Sequence, residues 1–516
     1  MPERPDKTRM SRLTTIVVLW MLVLTLLSGA GFAAPGVAMA PAGDITRYDL
    51  AVSFDPESRT LAGSMTVEWP NQTAGTRDAL YFRLYPNADH YGDGQTAVSA
   101  VTVDGQLAES TLWTDATVLE VELDPAVPSG EDAVIGLAFE TTVPATSGAS
   151  FGILGGDRET GWWLADWHPI LAGWEAGSGW YLDPPTRFGD PTFAESATYD
   201  LVLTTPDQYL VLGSGSTTGA TVDESLDLQT TTISTPPGRD LTLSLPLAED
   251  TETTVRSVAG IDVRVTLPDD LARPGLAEAI LAVAADTLPV YESWLGEYPG
   301  DELDITAVPL AGAGGVSWSG IVWLVLAPLV EDGELSAGER ERLRFVLTHE
   351  LSHQWIGGIV GSNNNDHGFM TEGLANALSV LAMREREGVE GAERYLREWV
   401  ASGYRAMLAS GRDGIADAPL TDETDIATRG HLVYGKAALG FEAIRQAIGD
   451  EAFFAGLAIY ARDYRFAIST PDDPRRAFEE ASGADLGPLW SFWFEERATT
   501  VADVDAVLHG FGNTSR

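Results

Sequence analysis

The chain has 516 residues, 44% hydrophobic and 21% charged, a globular composition with room for two or more domains. Its 76 acidic residues against 32 lysines and arginines give a net charge of −44, a surface that repels nucleic acid and disfavours adhesion to anionic lipid. Cysteine is absent, which rules out disulfides, thiolate metal sites, a cysteine nucleophile and lipoprotein attachment; any metal must be held by histidine and carboxylate.

Residues 1–42 read as a leader. Arg4, Lys7, Arg9 and Arg12 precede an apolar run, Ile16 to Leu27, and the small residues through Ala42 contain the cleavage patterns Ala38-Met39-Ala40 and Ala40-Pro41-Ala42. That run falls short of the roughly 20 apolar residues of a spanning helix, though a looser count from Leu13 to Ala34 reaches that length. Both a cleaved signal and an uncleaved anchor therefore fit. In either case the rest of the chain is expected outside the cytoplasm, secreted or tethered by this segment alone.

Residues 43–250 read as a β-rich, sandwich-like domain. Alternating runs recur at Tyr48–Phe54, Gly63–Trp69, Ala79–Leu84, Val118–Leu123, Val134–Phe139, Tyr199–Leu203 and Tyr209–Leu212, separated by turn-forming residues. The tryptophan-rich piece from Gly161 to Trp180 is expected to pack a long loop against the next domain, with the wall of a substrate cleft as the sharper alternative. His168, followed by Pro169, reads as a loop hydrogen-bonder.

Residues 251–498 change character. Strand-like Ile261–Thr266 and Leu303–Val308 flank a helix from about Pro274 to Leu295. Gly314 to Leu326 opens Gly-rich and ends in a β-favouring apolar run; an exposed edge strand here would pair with an extended peptide through its backbone. Next comes His349-Glu350-Leu351-Ser352-His353, H-E-x-x-H, inside a helical pattern from about Glu341 to Val360. Four-residue spacing puts both imidazoles on one face, able to bind one metal ion, with Glu350 placed to reach a water rather than the metal. A tetrahedral zinc needs a third ligand and one open position. Glu372 supplies it after 18 intervening residues, opening a second helical stretch to Met383. A metzincin would carry a third histidine where Ile359 stands, so the pattern is that of a gluzincin. Asn376, one turn after Glu372, is placed to orient that ligand. His367 and His431 lie near in sequence without ligand spacing. Arg384 to Glu496 reads as mostly helical, closing on a buried helix at Leu489–Phe494, and 499–516 is a tail without assigned structure.

His349-Glu350-x-x-His353 followed by Glu372-Gly373 resembles the aminopeptidase N-type family of zinc peptidases. Val433-Tyr434-Gly435-Lys436-Ala437 is similar to the family's Y-x-K-G segment, and Asp49–Leu61 and Phe82–Ala88 resemble its amino-terminal β-domain. The resemblance implies an α+β multidomain fold: a β-sandwich-like domain, then a thermolysin-like α/β and mostly helical catalytic domain. It implies one zinc ion on His349, His353 and Glu372, Glu350 as general base, and Tyr434 stabilising the oxyanion. Gly314-Gly315-Val316-Ser317-Trp318 stands in the place of the family's G-x-M-E-N strand, which makes Gly314, Gly315, Val316 and Ser317 the candidate substrate-binding residues. There the sequence departs: the family's Glu, which grips the substrate's α-amine, is Ser317, and a hydroxyl supplies no opposing charge. The expectation is an exported zinc metallopeptidase acting on peptides, an aminopeptidase. A zinc endopeptidase or a peptidase of relaxed end-specificity is the alternative, and a non-peptide substrate or a peptide-binding protein that keeps the zinc helix also stays open.

Overall fold

The computed structural model describes residues 45–513, apart from 114, 147–150, 176, 190, 327–334 and 422. The expected leader and its cleavage patterns lie outside the described residues. No helix among the described residues is long and apolar enough to cross a membrane.

Strict alternation builds the first strand, β1 (Thr46–Asp55), which turns Tyr48, Leu50, Val52 and Phe54 inward. It pairs antiparallel with β2 (Thr60–Pro70), Leu50 opposite Met65, and parallel with β3 (Ala197–Pro206), Leu50 opposite Leu201. These three lie in an eight-stranded sheet that runs Ser216–Asp223, Leu228–Ser234, β3, β1, β2, Asp132–Thr142, Gln95–Val103, Gln106–Leu107. Two four-stranded sheets close on the same core, one giving Leu80, Phe82 and Val121 and the other Trp162, Leu164 and Leu243. The layered β-rich expectation therefore holds. The predicted strand Tyr209–Leu212 shrinks to Leu212–Gly213.

The tryptophans divide. Trp162 and Trp167 belong to the β core itself, Trp167 donating to the Leu241 carbonyl at 2.8 Å. Trp163 packs with Val316 and Trp318 in a small cluster that joins the β-rich part to the part that follows it. His168 is 1% exposed, edge-on to Tyr48, Trp167 and Tyr199, and its Nδ1 meets the Pro169 carbonyl at 3.0 Å. Burial pulls its pKa down to about 4, so it is neutral.

The part from Thr251 onward is built on a five-stranded sheet. Thr251–Val258 pairs antiparallel with β4 (Ile261–Pro268); the helix α1 (Leu276–Leu295) then crosses over to β5 (Glu302–Ala307), parallel to β4. The segment read as one run from Gly314 is a hairpin, β6 (Gly315–Trp318) and β7 (Ile321–Leu324), turning at Gly320 with φ of 80°. β7 pairs parallel with β5 and leaves β6 at the sheet edge. Helices follow: α2 (Ala337–Ser352), α3 (Leu374–Tyr395), α4 (Ala437–Ile448) and α5 (Val501–Gly510). The last lies in the stretch to which the sequence assigned no structure. A capping box between Thr500 and Asp503 starts α5, and Val504, Val507 and Leu508 bury its inner face.

Candidate metal centre and active site

α2 begins at a capping box, with Ser336 accepting from the Glu339 amide at 3.2 Å and Glu339 accepting from the Ser336 amide at 2.6 Å. Leu343, Leu347 and Leu351, four residues apart, are buried and fix which face looks outward. The helix does not run to Val360. It stops at Ser352, with His353 as its capping residue, because Gly357 (φ 105°) turns the chain and Trp355, Ile356, Ile359 and Val360 fold back into the core. That turn brings the Ile356 carbonyl to 3.0 Å from His353 Nδ1. Glu372 does not open an α-helix either. It lies in a π-helical turn, Phe369–Gly373, that precedes α3, and such turns recur at functional sites because the extra residue re-aims a side chain. Gly373 keeps this turn close to α4, since a Cβ there would lie 2.5 Å from the Ala437 Cβ.

The three side chains converge. His349 Nε2 and His353 Nε2 are 3.1 Å apart, and Glu372 Oε2 lies 3.2 and 3.4 Å from them. Each imidazole is fixed from behind. His349 Nδ1 donates to Asn376 Oδ1 at 2.9 Å and His353 Nδ1 donates to Ile356 O, so both Nε2 lone pairs face the centre. Two ring lone pairs and a carboxylate oxygen at these distances repel one another unless a cation or a shared proton lies between them. Without metal a proton does this. Burial pulls the His353 pKa down, but the charge of Glu372 outweighs it and lifts the value to about 9, while the same pairing overcomes burial at Glu372 and holds its carboxyl below the ordinary range. The donor set, two imidazoles and one carboxylate within 4.8 Å of one another, is what zinc takes with a fourth position left open.

Glu350 stays out of this set. It is 5% exposed, and burial together with the charge of Glu372 raises its pKa against the pull of the two histidines. Gly315 on β6 makes room for it: a Cβ there would come within 2.7 Å of Glu350 Cγ. Tyr434 also sits on a π-helical turn, His431–Lys436, with its ring centroid 5.9 Å from that of His349. Tyr434 is 37% exposed, yet desolvation at its hydroxyl end and the charges of Glu372 and Glu350 push its pKa well up, so the hydroxyl keeps its proton. Asn376 corrects its expected role: it holds His349 rather than Glu372, and its Nδ2 donates to the Tyr434 carbonyl at 2.9 Å.

Of the candidate substrate strand, Gly315 and Ser317 face α2, while the Val316 side chain turns into the core and leaves only its backbone to a ligand. Ser317 Oγ accepts from Gln354 Nε2 at 2.7 Å. Gln354 also donates to Trp318 O and accepts from the Gly320 amide, so it pins the hairpin to the metal helix. Sequence reasoning passed over Gln354, whose signal was its place one turn after Glu350. His367 pairs with Asp417 at 2.6 Å, and His431 lies against Gly403; neither joins the metal group.

An edge strand beside a helix that offers two histidines and an unligated glutamate, with the third candidate ligand folded back from the next helix, is the arrangement of the gluzincin class of metallopeptidases. Residues 280–493 match the Peptidase family M1 domain. The chain is 25% identical to Aminopeptidase M1-A of Oryza sativa subsp. japonica over 253 residues, 47% of this chain and 28% of that one. It is 26% identical to Aminopeptidase N of Lactococcus lactis subsp. lactis over 236 residues, 44% of this chain and 27% of that one. The alignments thus span little more than a quarter of these relatives' length. In fold it is similar to the M1 zinc metallopeptidase of Deinococcus radiodurans, with a TM-score of 0.64 and 21% identity over 88% of this chain and 94% of that one. A point mutant of that enzyme, similar at a TM-score of 0.63 and 21% identity over 88% of this chain and 95% of that one, was solved with a Tyr-Ser-Ala substrate.

Proposed function

We propose that this chain is an exported zinc-dependent peptidase that removes residues from the amino termini of peptides. The observation that carries the reading is the convergence of His349, His353 and Glu372 on one point while Glu350, beside them, stays unligated. Zinc held by these three side chains would supply a Lewis acid that polarises a carbonyl and brings a water's pKa to about 7. Glu350 then accepts a proton from the attacking water and passes it to the departing amine; its raised pKa suits it to carry that proton. Tyr434, protonated and next to His349, donates to the carbonyl oxygen as negative charge grows there. Asn376 and Ile356 O hold the imidazoles in the tautomer that leaves Nε2 free. The edge strand β6 offers its backbone to an extended peptide. The aminopeptidase relatives support cleavage at the amino terminus. Ser317 favours a second reading, an endopeptidase or a peptidase of relaxed end-specificity, because its hydroxyl is held by Gln354 and offers no charge to an ammonium group. The basic and apolar leader supports export, and amino-terminal sequencing of protein from outside the cytoplasm tests it.

One fluorogenic peptide, made with a free and with an acetylated amino terminus, separates the readings when run beside a Glu350→Gln control. Cleavage confined to the free form supports the aminopeptidase. Equal cleavage of both moves the assignment to the endopeptidase. No cleavage of either by zinc-loaded protein would sink the peptidase reading and leave a peptide-binding protein.

A further inference from the structure

Beyond the leader the chain has a single lysine, Lys436; every other side chain of its lysine and arginine complement there is arginine. The exception sits where an arginine would not serve. The Lys436 side chain is 0% exposed, and its Nζ donates to Gly414 O and Glu496 O at 2.7 Å each and reaches the Asp413 carboxylate at 3.3 and 3.4 Å. A compact ammonium can direct three donors at acceptors around one point, whereas a planar guanidinium fans its donors out in a fork. Asp413 is itself tied down by the Tyr404 hydroxyl at 2.7 Å and the Thr499 amide at 3.1 Å. Tyr404 also packs on the turn, since a Cβ on Gly435 would lie 3.0 Å from the Tyr404 Cβ.

Lys436 is the last residue of the turn His431–Lys436 that carries Tyr434. That turn has a second attachment on its other side, where the Tyr434 carbonyl accepts from Asn376, whose side-chain oxygen receives His349 Nδ1–H. We propose that Lys436 is a positioning residue for Tyr434 and His349: it clamps their shared turn onto Asp413 and the segment Glu496–Thr499. The stretch after the last active-site element thereby becomes part of the site's geometry. This rests on the zinc-peptidase reading, and its test keeps the two apart.

The test compares Lys436→Met and Lys436→Arg with the parent for kcat, KM and zinc affinity, the last by chelator competition, which needs no turnover. Lys436→Met is then repeated in a Tyr434→Phe background. The expected result is a kcat lower by about 10-fold or more, KM within roughly 2-fold, and zinc bound about 10-fold more weakly, with no rescue by arginine. In the Tyr434→Phe background the same substitution should cost little further kcat, because the hydroxyl it places is gone. A Lys436→Met protein with the parent's circular dichroism, kcat and zinc affinity overturns the proposal, as do losses that multiply fully with Tyr434→Phe. If Lys436→Met does not fold, Lys436→Met/Asp413→Asn removes both buried charges and is read by the same criteria. A parent that binds zinc but cleaves no peptide sinks the peptidase reading alone, and the zinc measurement still decides the role of Lys436.

Discussion

Glu350 and Tyr434 have separable jobs, and substitution should separate them. Glu350→Gln keeps the shape and removes the proton acceptor; kcat is expected to fall by at least about 10³-fold, at the upper end of what a general base contributes, with zinc content unchanged. Tyr434→Phe removes one donor to the developing oxyanion and should lower kcat about 10²-fold with a small change in KM. Steady-state kinetics beside metal analysis checks both; loss of zinc in Glu350→Gln would make that residue a ligand and contradict the division of roles. The histidine pair was legible in the sequence because the geometry is local: four residues along one helix fix two imidazoles. Asn376 was legible as a supporting residue but not its partner, since which ring it meets depends on how α3 lies against α2. Gln354 carried no motif, and only the β6–β7 hairpin folded beside it shows its use.

At the scale of elements, β6 and α2 touch through Gly315 and Glu350. Gly315→Ala would force a Cβ to within 2.7 Å of Glu350 Cγ, so the carboxylate must move. An expected loss of roughly 10²-fold in kcat follows from misplacing a reacting group by about an ångström, with zinc affinity near the parent's. Parent-like turnover in Gly315→Ala would show that Glu350 has slack there. Both Glu372 and Tyr434 ride on π-helical turns, which leave no periodic trace, and so Glu372 read as the start of an ordinary helix. The end of α2 was misread for a related reason: Trp355, Ile356, Ile359 and Val360 keep a helical apolar spacing while Gly357 reverses the chain. Ser216–Asp223 escaped as a strand because nearly all of it is exposed and it shows no apolar alternation. α5, by contrast, had its signal in plain view, Thr500 three residues before Asp503, on a helix only 10 residues long.

At the scale of the whole molecule the β-rich part is fastened to the turn that follows the metal helix. Arg239, 8% exposed, donates to Ala194 O on one side and to Ile359 O and Ala467 O on the other, at 3.0, 3.2 and 2.7 Å. Ile359 belongs to the turn that holds His353, so the two parts meet at the back of the candidate site. The β core also carries a pH dependence of its own. His168 has a folded pKa of about 4 against an ordinary 6.5. Between those values the unfolded chain binds a proton that the folded chain does not, so His168's contribution is complete above pH 6.5 and lost as pH falls towards 4. Denaturant titrations of the parent and His168→Gln should therefore converge by up to about 3 kcal/mol as pH drops through that window. A constant difference would mean that His168 titrates alike in the folded and unfolded chain, contrary to its burial. The central claim, one metal ion on His349, His353 and Glu372, is met most directly by elemental analysis of folded protein before and after chelation. One zinc per chain, removed together with peptide cleavage and restored together with it, is the predicted result. Folded, active protein that contains no metal and ignores the chelator would contradict it.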